Sequence, residues 1–445
     1  MSQKTHEECR DSCCGGHKHH HEGKSMIPVT IFCGLNHSGK TSAIATLLSE
    51  SSDNQLAVIM NDMLKKKPAS QLPSVKDVHQ IIEMKKGCVC CTLYEDFIRA
   101  MFSIKEGTSM VVVEATGCAD VRDMGEVMLT GDSEALGRAL TDCFRLDAIV
   151  AFVNVKTFFE DLNSLDYLLD RKEATDETDF RNIPSVLVEH IEHADVIVLG
   201  KSEGADVQTL RDVRNVISVL NPTARRVELP TKDPIALSGI FDTELYDFEM
   251  TQMKPGWIRL IRDEMPPSPA ESNVSHFVFR SRRPFHPLRL YELIDASTER
   301  LPGVLRSRGF IWLASRHDLC GEWSSCGNLY STSGDSKWFI TVPREEWPTE
   351  DPKFLRDFEE PYGDRRQEIA IIGLNLDVEK VEGELKKCLL TEQEMSMGPI
   401  IWAGLEDKFD PWNMGEDEDE DEDDEDNEEE EDGKEEERVH NSYQK

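Results

Sequence analysis

The sequence predicts an α/β fold: a mostly parallel sheet with helices on both faces, then a smaller α+β domain, with disordered tails at both ends. Three observations point there. Between residues 26 and 235, short apolar β-branched runs alternate with helical stretches, the rhythm of strand–helix–strand crossovers. Residues 236–272 break that rhythm with a Pro/Ser-rich stretch, "DEMPPSPAESN", that suits a linker. The composition is polar at both ends, rich in His and Cys over residues 1–25 and acidic over 406–445.

The elements follow in order. The strand candidates of the first domain are "MIPVTIFC", "LAVIM", "SMVVVEA", "DAIVAFV" and "DVIVLG", and "TSAIATLLSE" reads as a helix after the first of them. Residues 273–405 carry a second set of strands, "SHFVFRSRRPF", "GFIWLASR", "KWFITV" and "RRQEIAIIGL", with helices near 287–300 and 378–390. From Glu416 to Lys445 there are 19 acidic and 3 basic side chains. Such a run cannot bury enough apolar surface to fold.

Composition excludes several functions. The net charge is −36, and residues 1–415 alone contribute −20, so nonspecific binding to nucleic acid or an anionic membrane is disfavoured. Apolar runs such as "MVVV" and "DVIVL" are strand-sized, too short to span a bilayer. The N-terminus shows no apolar signal region and no Arg/Ser-rich transit pattern. Twelve cysteines in such a chain read as thiols or metal ligands in a reducing, cytoplasmic setting.

Chemistry begins at "GLNHSGKT", Gly34-Leu35-Asn36-His37-Ser38-Gly39-Lys40-Thr41, a complete GxxxxGK[ST] between a strand and a helix. Backbone N–H groups of such a loop cradle phosphates, and the helix N-terminus after it favours anions. Lys40 is expected to reach the β- and γ-phosphates, and the Thr41 hydroxyl to ligate Mg²⁺. The strand "SMVVVEATG" ends in Glu114, which is placed to share the Mg²⁺, and Gly117 lies where a glycine senses the γ-phosphate. No general base is evident, so positioning and Mg²⁺ should dominate and unstimulated turnover should be slow.

Between these two motifs stands "KKGCVCCTL", with Cys88, Cys90 and Cys91. A closed zinc site wants four ligands, usually in two pairs, and a thioredoxin-like pair wants CxxC; neither is present. Three soft ligands suit Zn²⁺ or Cu⁺ and leave a fourth position open, for water, Glu83, a second subunit or an incoming client ligand. The segment occupies the switch territory of a nucleotide-binding domain, after "VIMND" with Asn61 and Asp62. The N-terminal His6, Cys9, Cys13, Cys14, His17, His19, His20 and His21 suit metal capture or buffering. Cys33, Cys118 and Cys143 lie in or beside apolar runs and are expected to be structural.

In this order, "GLNHSGKT", "VIMND", "KKGCVCCTLYED" and "VVVEATG" resemble the CobW-type metallochaperone GTPases, of the same broad class as the nickel-insertion GTPases of urease and hydrogenase. The resemblance continues through "LVEHIEHADVIVLGKSE" and into a CobW C-terminal domain through "RRPFHPLRLYEL", "GVLRSRGFIWLASR" and "DRRQEIAIIGLNLD", covering about 26–405. It implies a P-loop GTPase domain joined to a C-terminal domain that together deliver a divalent metal, most often zinc, to a client metalloprotein. Cys88, Cys90 and Cys91 would hold the cargo, and Lys201 and Glu203 would stand in the base-reading motif. That motif departs from the family's NKxD, reading Gly200-Lys201-Ser202-Glu203. Glycine has no amide to offer and glutamate carries its carboxylate on a longer arm, so GTP is expected with ATP as the alternative. The N-terminus also lacks the Cys-Pro-Glu-type motif of eukaryotic members that serve methionine aminopeptidase. Two other readings compete: a metal buffer with vestigial nucleotide binding, and a P-loop phosphotransferase with an incidental thiol cluster. Self-association stays open; nucleic acid and membrane are not expected partners.

Overall fold

The computed structural model describes residues 26–50, 56–61, 80–84, 93–133, 137–174, 178–200, 204–229, 240–268, 272–295, 301–348 and 352–412. The first domain opens with β1 (Ile27–Cys33), which leads through the glycine-rich loop into α1 (Lys40–Glu50). β2 (Leu56–Met60), β3 (Gln80–Glu83), α2 (Tyr94–Phe102), β4 (Met110–Glu114) and α3 (Val121–Thr130) follow. A small hairpin, β5 (Asp132–Ser133) with β6 (Arg138–Ala139), precedes the long β7 (Phe144–Asn154). Then come α4 (Phe158–Leu162), α5 (Ile183–His193), β8 (Val196–Gly200), α6 (Val207–Leu220) and β9 (Arg225–Glu228). The sheet order is β3-β2-β4-β1-β7-β8-β9 and every pair is parallel. Runs such as "LAVIM" and "VIVLG" are buried at every position, as a parallel sheet covered on both faces demands. Asp120, Asn182 and Asp206 cap α3, α5 and α6 by accepting from backbone N–H groups of their first turns. β3 and β9 were not anticipated, because each is a four-residue, partly polar edge strand.

The 236–272 stretch is not simply a linker: within it, residues 240–254 are built into the first domain, and the helix that follows packs between that domain and the second domain's sheet. Asp147, fully buried on β7, accepts from the N–H groups of Thr243 and Glu244 at 3.1 and 2.8 Å. α7 (Phe248–Thr251) and α8 (Gly256–Ile261) follow, and Lys254 between them forms a buried ion pair with Asp195. These partners lie far away in the chain, so local composition could not reveal them.

The second domain contains β10 (Val274–Ser281), α9 (Pro287–Ile294), β11 (Val304–Ile311), β12 (Leu319–Cys326), β13 (Leu329–Lys337), α10 (Pro352–Leu355), β14 (Gln367–Leu374) and α11 (Val378–Cys388). α12 (Glu392–Met397) and α13 (Pro399–Trp402) close it. Its antiparallel sheet runs β10-β14-β11-β12-β13. α9 and α11 cover one face through Leu290, Leu293, Val381 and Leu385. The other face meets the first domain, where Leu305, Ala370 and Ile372 share one core with Ile191, Val213, Ile217 and Leu260.

Two expectations for this domain are corrected. "KWFITV" is not a strand: β13 ends at Lys337, and Phe339–Thr341 is a 3-10 turn. The Asp364 carboxylate accepts from the N–H groups of Phe339 and Ile340, both at 3.0 Å, so neither is left for a ladder. The tail also starts later than residue 406. Arg316 donates to Asp407 at 2.9 Å and lies over the Trp412 ring, whose edge packs against Gly321. Among the described residues no helix is long and apolar enough to cross a membrane.

Candidate functional site

β1 lies between β4 and β7, so its carboxyl end opens on the crevice where open parallel sheets bind ligands. The loop Gly34–Gly39 occupies that position. Gly34 has φ +131° and Gly39 φ +112°, with His37 between them at +64°. Successive turns of this hand point backbone N–H groups inward and form an anion-binding nest. A Cβ on Gly34 would stand 2.4 Å from the Phe152 carbonyl oxygen, which is backbone and cannot yield. Gly34→Ala should therefore cost about 1–3 kcal/mol of stability. It should also weaken nucleotide binding at least about tenfold, since 1.4 kcal/mol spent on loop geometry is a factor of ten. Thermal unfolding and fluorescent-nucleotide titration would read the two effects, and an unchanged affinity would refute the nest.

Lys40, buried at the start of α1, donates to the carbonyl oxygens of Gly34 at 2.5 Å and Leu35 at 3.2 Å. The ammonium thus lies over its own loop. Thr41 donates its hydroxyl to Glu114 Oε1 at 2.5 Å. Glu114 ends β4, in register with Phe32 of β1 and Met60 of β2, and is buried. Next to it Asn61, 1% exposed, gives its backbone N–H to the Glu114 carbonyl at 3.0 Å. Neither polar atom of the Asn61 side chain has a partner among the described residues, and a buried amide ordinarily has one. One hydroxyl and one carboxylate in contact, beside an unsatisfied amide, fit the sparse oxygen set that Mg²⁺ takes alongside phosphate oxygens and water. Thr41 and Glu114 would hold the ion, which would neutralise charge on the transferring phosphate.

Gly117 follows β4, and a Cβ on it would lie 3.0 Å from Asn36 Oδ1, so the loop after β4 can press against the phosphate loop. Gly200 ends β8 with its Cβ position 3.0 Å from the Ser38 carbonyl oxygen. Where the family's NKxD would place an asparagine, the chain thus has a close backbone approach. Lys201 and Glu203 lie outside the described residues, as do Cys88, Cys90 and Cys91. The flanks of the cysteine segment are described. Met84 donates its N–H to the Met60 carbonyl at 2.9 Å, so the chain leaves β3 at the same carboxyl edge of the sheet, and it returns at buried Leu93 before α2. β3 is separated from β4 only by β2. Among the described residues no cluster of three His, Cys, Asp or Glu side chains is placed to hold a metal. Cys33 is fully buried, its thiol pushed up to about 12 by burial, which suits a packing role. Cys118 is buried as well, whereas Cys143 is only half-buried and accepts from Arg138.

Sequence reasoning missed a set of residues that ties the loop after β4 to the second domain. Arg181 donates to the Cys118 carbonyl at 2.9 Å, and His190 Nε2 lies 2.8 Å from that of Ala119. Burial holds His190 down to about 4, so it stays neutral near pH 7. Arg122 joins Asp120 to Glu189 of α5 at 3.2 and 2.7 Å. One turn on, Glu192 receives two hydrogen bonds from Arg306 of β11, at 2.9 and 3.1 Å, with both side chains buried. Arg306 also donates to Ser324 Oγ and the Ser325 carbonyl of β12. A polar cavity of about 540 Å³ lies beside this chain, between Arg122 and Glu189 on one side and Arg308 and Glu322 on the other. Burial, then Asp120, raises Glu189 to about 7 despite Arg122.

A glycine-rich loop, a helix-opening lysine, a threonine–glutamate pair and a loop glycine at one sheet edge define a P-loop nucleoside-triphosphate-binding protein. The nucleotide-binding domain of CobW, HypB and UreG proteins matches residues 28–228, and the cobalamin synthesis protein CobW C-terminal domain matches 274–389. The zinc-regulated GTPase metalloprotein activator 1 of Dictyostelium discoideum is 30% identical over 403 residues, covering 87% of this chain and 84% of its own. A zinc chaperone of Mycobacterium tuberculosis is 26% identical over 344 residues, with 75% and 80% covered. The Zn(II)-bound YjiA GTPase from E. coli aligns over 82% of this chain and all of its own, at 16% identity and a TM-score of 0.34. The chain belongs to the CobW family of P-loop GTPases.

Proposed function

We propose that this GTPase carries Zn²⁺ on Cys88, Cys90 and Cys91 and passes it to a client metalloprotein in the cytoplasm, with nucleotide state setting how tightly the metal is held. The observation that supports the reading most directly is the course of the chain around the cysteines. In sequence they fall between β3, which ends at the carboxyl edge of the sheet where Thr41 meets Glu114, and α2. The zinc-regulated and zinc-chaperone relatives supply the metal. Gly34–Thr41 would bind the phosphates of GTP, Thr41 and Glu114 would hold Mg²⁺, Gly117 would meet the γ-phosphate, and Lys201 and Glu203 would read the base. The chain of contacts from the loop after β4 through α5 to Arg306 gives the second domain a means of responding to nucleotide and selecting the client.

The test is linkage. If GTP changes zinc affinity by some factor, zinc changes GTP affinity by the same factor. A working carrier is expected to show a coupling on the order of 1–3 kcal/mol. Zinc affinity is measured on the full chain with GDP and with a nonhydrolysable GTP analogue. Changing all three cysteines to serine should remove both the tight site and the coupling, yet spare nucleotide binding. Equal zinc affinity in the two nucleotide states would favour the buffer over the carrier.

A further inference from the structure

The segment between α4 and α5 brings a carboxylate to the phosphate loop. Its chain folds back on itself, with the Leu168 N–H donating to the Arg181 carbonyl at 2.9 Å and Tyr167 bridged to Asn182. Arg171 braces the turn by donating to Asp161 at 2.6 Å, Asp166 at 2.9 Å and Ser164 at 3.1 Å. At the tip Lys172 adopts φ +58°, and the Glu173 N–H returns to the Leu168 carbonyl at 2.8 Å. That turn delivers the Glu173 side chain to Asn36, the third residue of the phosphate loop. Asn36 offers it both a side-chain amide and a backbone N–H, and Arg171 and Lys40 are the cations near enough to act on it. One carboxylate oxygen, Oε2, is buried with no hydrogen-bond partner among the described residues. Asn36 is also the residue against which Gly117 packs. Glu173, Asn36 and Gly117 therefore converge on the side of the loop where the γ-phosphate of a bound triphosphate would end.

We propose that Glu173 orients the water that attacks GTP and accepts its proton. The water oxygen bonds to the γ-phosphorus while one of its protons passes to the Glu173 carboxylate. The bond from phosphorus to the bridging oxygen breaks, and GDP leaves with that electron pair. The proton then passes to the phosphate product or to solvent. The unsatisfied Oε2 is the acceptor this step needs, and geometry comes first in choosing a base. Burial raises Glu173 above the ordinary carboxylate range, with Asn36 first and then Arg171 and Lys40 pulling it back, which brings it closer to working pH.

The inference rests on the GTPase reading, and its test separates the two. GTP hydrolysis is followed on the full chain with Zn²⁺ and Mg²⁺, for wild type, Glu173→Gln and Glu173→Asp, together with fluorescent-GDP affinity. Glu173→Gln keeps the shape and the hydrogen bond to Asn36 but cannot take a proton. It should lower kcat about 10²-fold, the lower end for a lost general base. KM should change by less than about threefold, as for an interaction made only in the transition state. The acidic limb of the pH–rate profile should flatten, and Glu173→Asp should restore part of the rate. A Glu173→Gln protein that binds GDP normally and keeps wild-type kcat and pH profile would make Glu173 a mere brace for Asn36 and overturn the proposal. A wild type that turns over no GTP would overturn the GTPase reading and this proposal with it.

Discussion

Lys40→Ala leaves the chain folded but lowers GTP hydrolysis on the order of 10²–10³-fold, the scale for removing one preorganised donor to developing charge. The argument is local. Lys40 is buried at the start of α1 with its ammonium over the loop, and its described hydrogen bonds go to the loop carbonyls of Gly34 and Leu35. No other lysine and no arginine lies in Gly34–Thr41. Thr41 and Glu114 are committed to each other. Single-turnover hydrolysis with saturating nucleotide reads the chemical step, and fluorescent-nucleotide binding reads the ground state. Turnover within a factor of a few of wild type would remove the enzymatic reading, because nothing else in the loop can replace the charge.

Arg306→Leu has the larger effect on stability. It removes the two hydrogen bonds to Glu192 and leaves a carboxylate buried between the domains without its cation. Breaking one partner of a buried pair costs about 3–5 kcal/mol, most of it the desolvated charge left behind. The double variant Glu192→Leu with Arg306→Leu removes both charges and should recover most of that loss, because apolar replacement of a whole pair is often neutral. Urea unfolding of wild type, Glu192→Leu, Arg306→Leu and the double variant forms a double-mutant cycle. If nucleotide state reaches the second domain through this pair, the double variant should be stable and yet lack zinc-dependent change in hydrolysis. A double variant that keeps that response would place the coupling elsewhere.

The parts of this molecule that the sequence displays are those whose signal is short-range. Five of the seven strands of the parallel sheet are built around apolar runs, legible because burial on both faces selects apolar residues, with Thr30, Glu114 and Asp147 as buried polar exceptions. The phosphate loop is legible because its residues are contiguous and its glycines answer to backbone geometry at Gly34 and Gly39. β12 and β13 were invisible for the opposite reason: "CGEWSS" and "YSTSGDS" mix small and polar residues, and their pairing is fixed by the neighbouring strand rather than by an apolar pattern. Arg181, His190, Glu192 and Arg306 were equally hidden. Each looks like an ordinary surface or helix residue until the fold brings it to a carbonyl or carboxylate 63, 71 or 114 positions away.

The strap from residue 240 to Ile261 bears on how such proteins can be taken apart and recombined. Composition marks 236–272 as the seam, but a nucleotide domain ended at residue 235 would lose Lys254, the cation that Asp195 keeps in the interior beside the Ile149 N–H. It would also lose the N–H groups of Thr243 and Glu244 that occupy Asp147. Asp195 would then stand in apolar surroundings without its cation, and Asp147 would keep Arg145 at 2.9 Å but lose its backbone donors. The separable unit is therefore the sheet together with its strap. A graft between family members that respects the strap can keep its nucleotide domain intact, and one cut at the seam begins with an unpaired buried Asp195 and an Asp147 short of its donors.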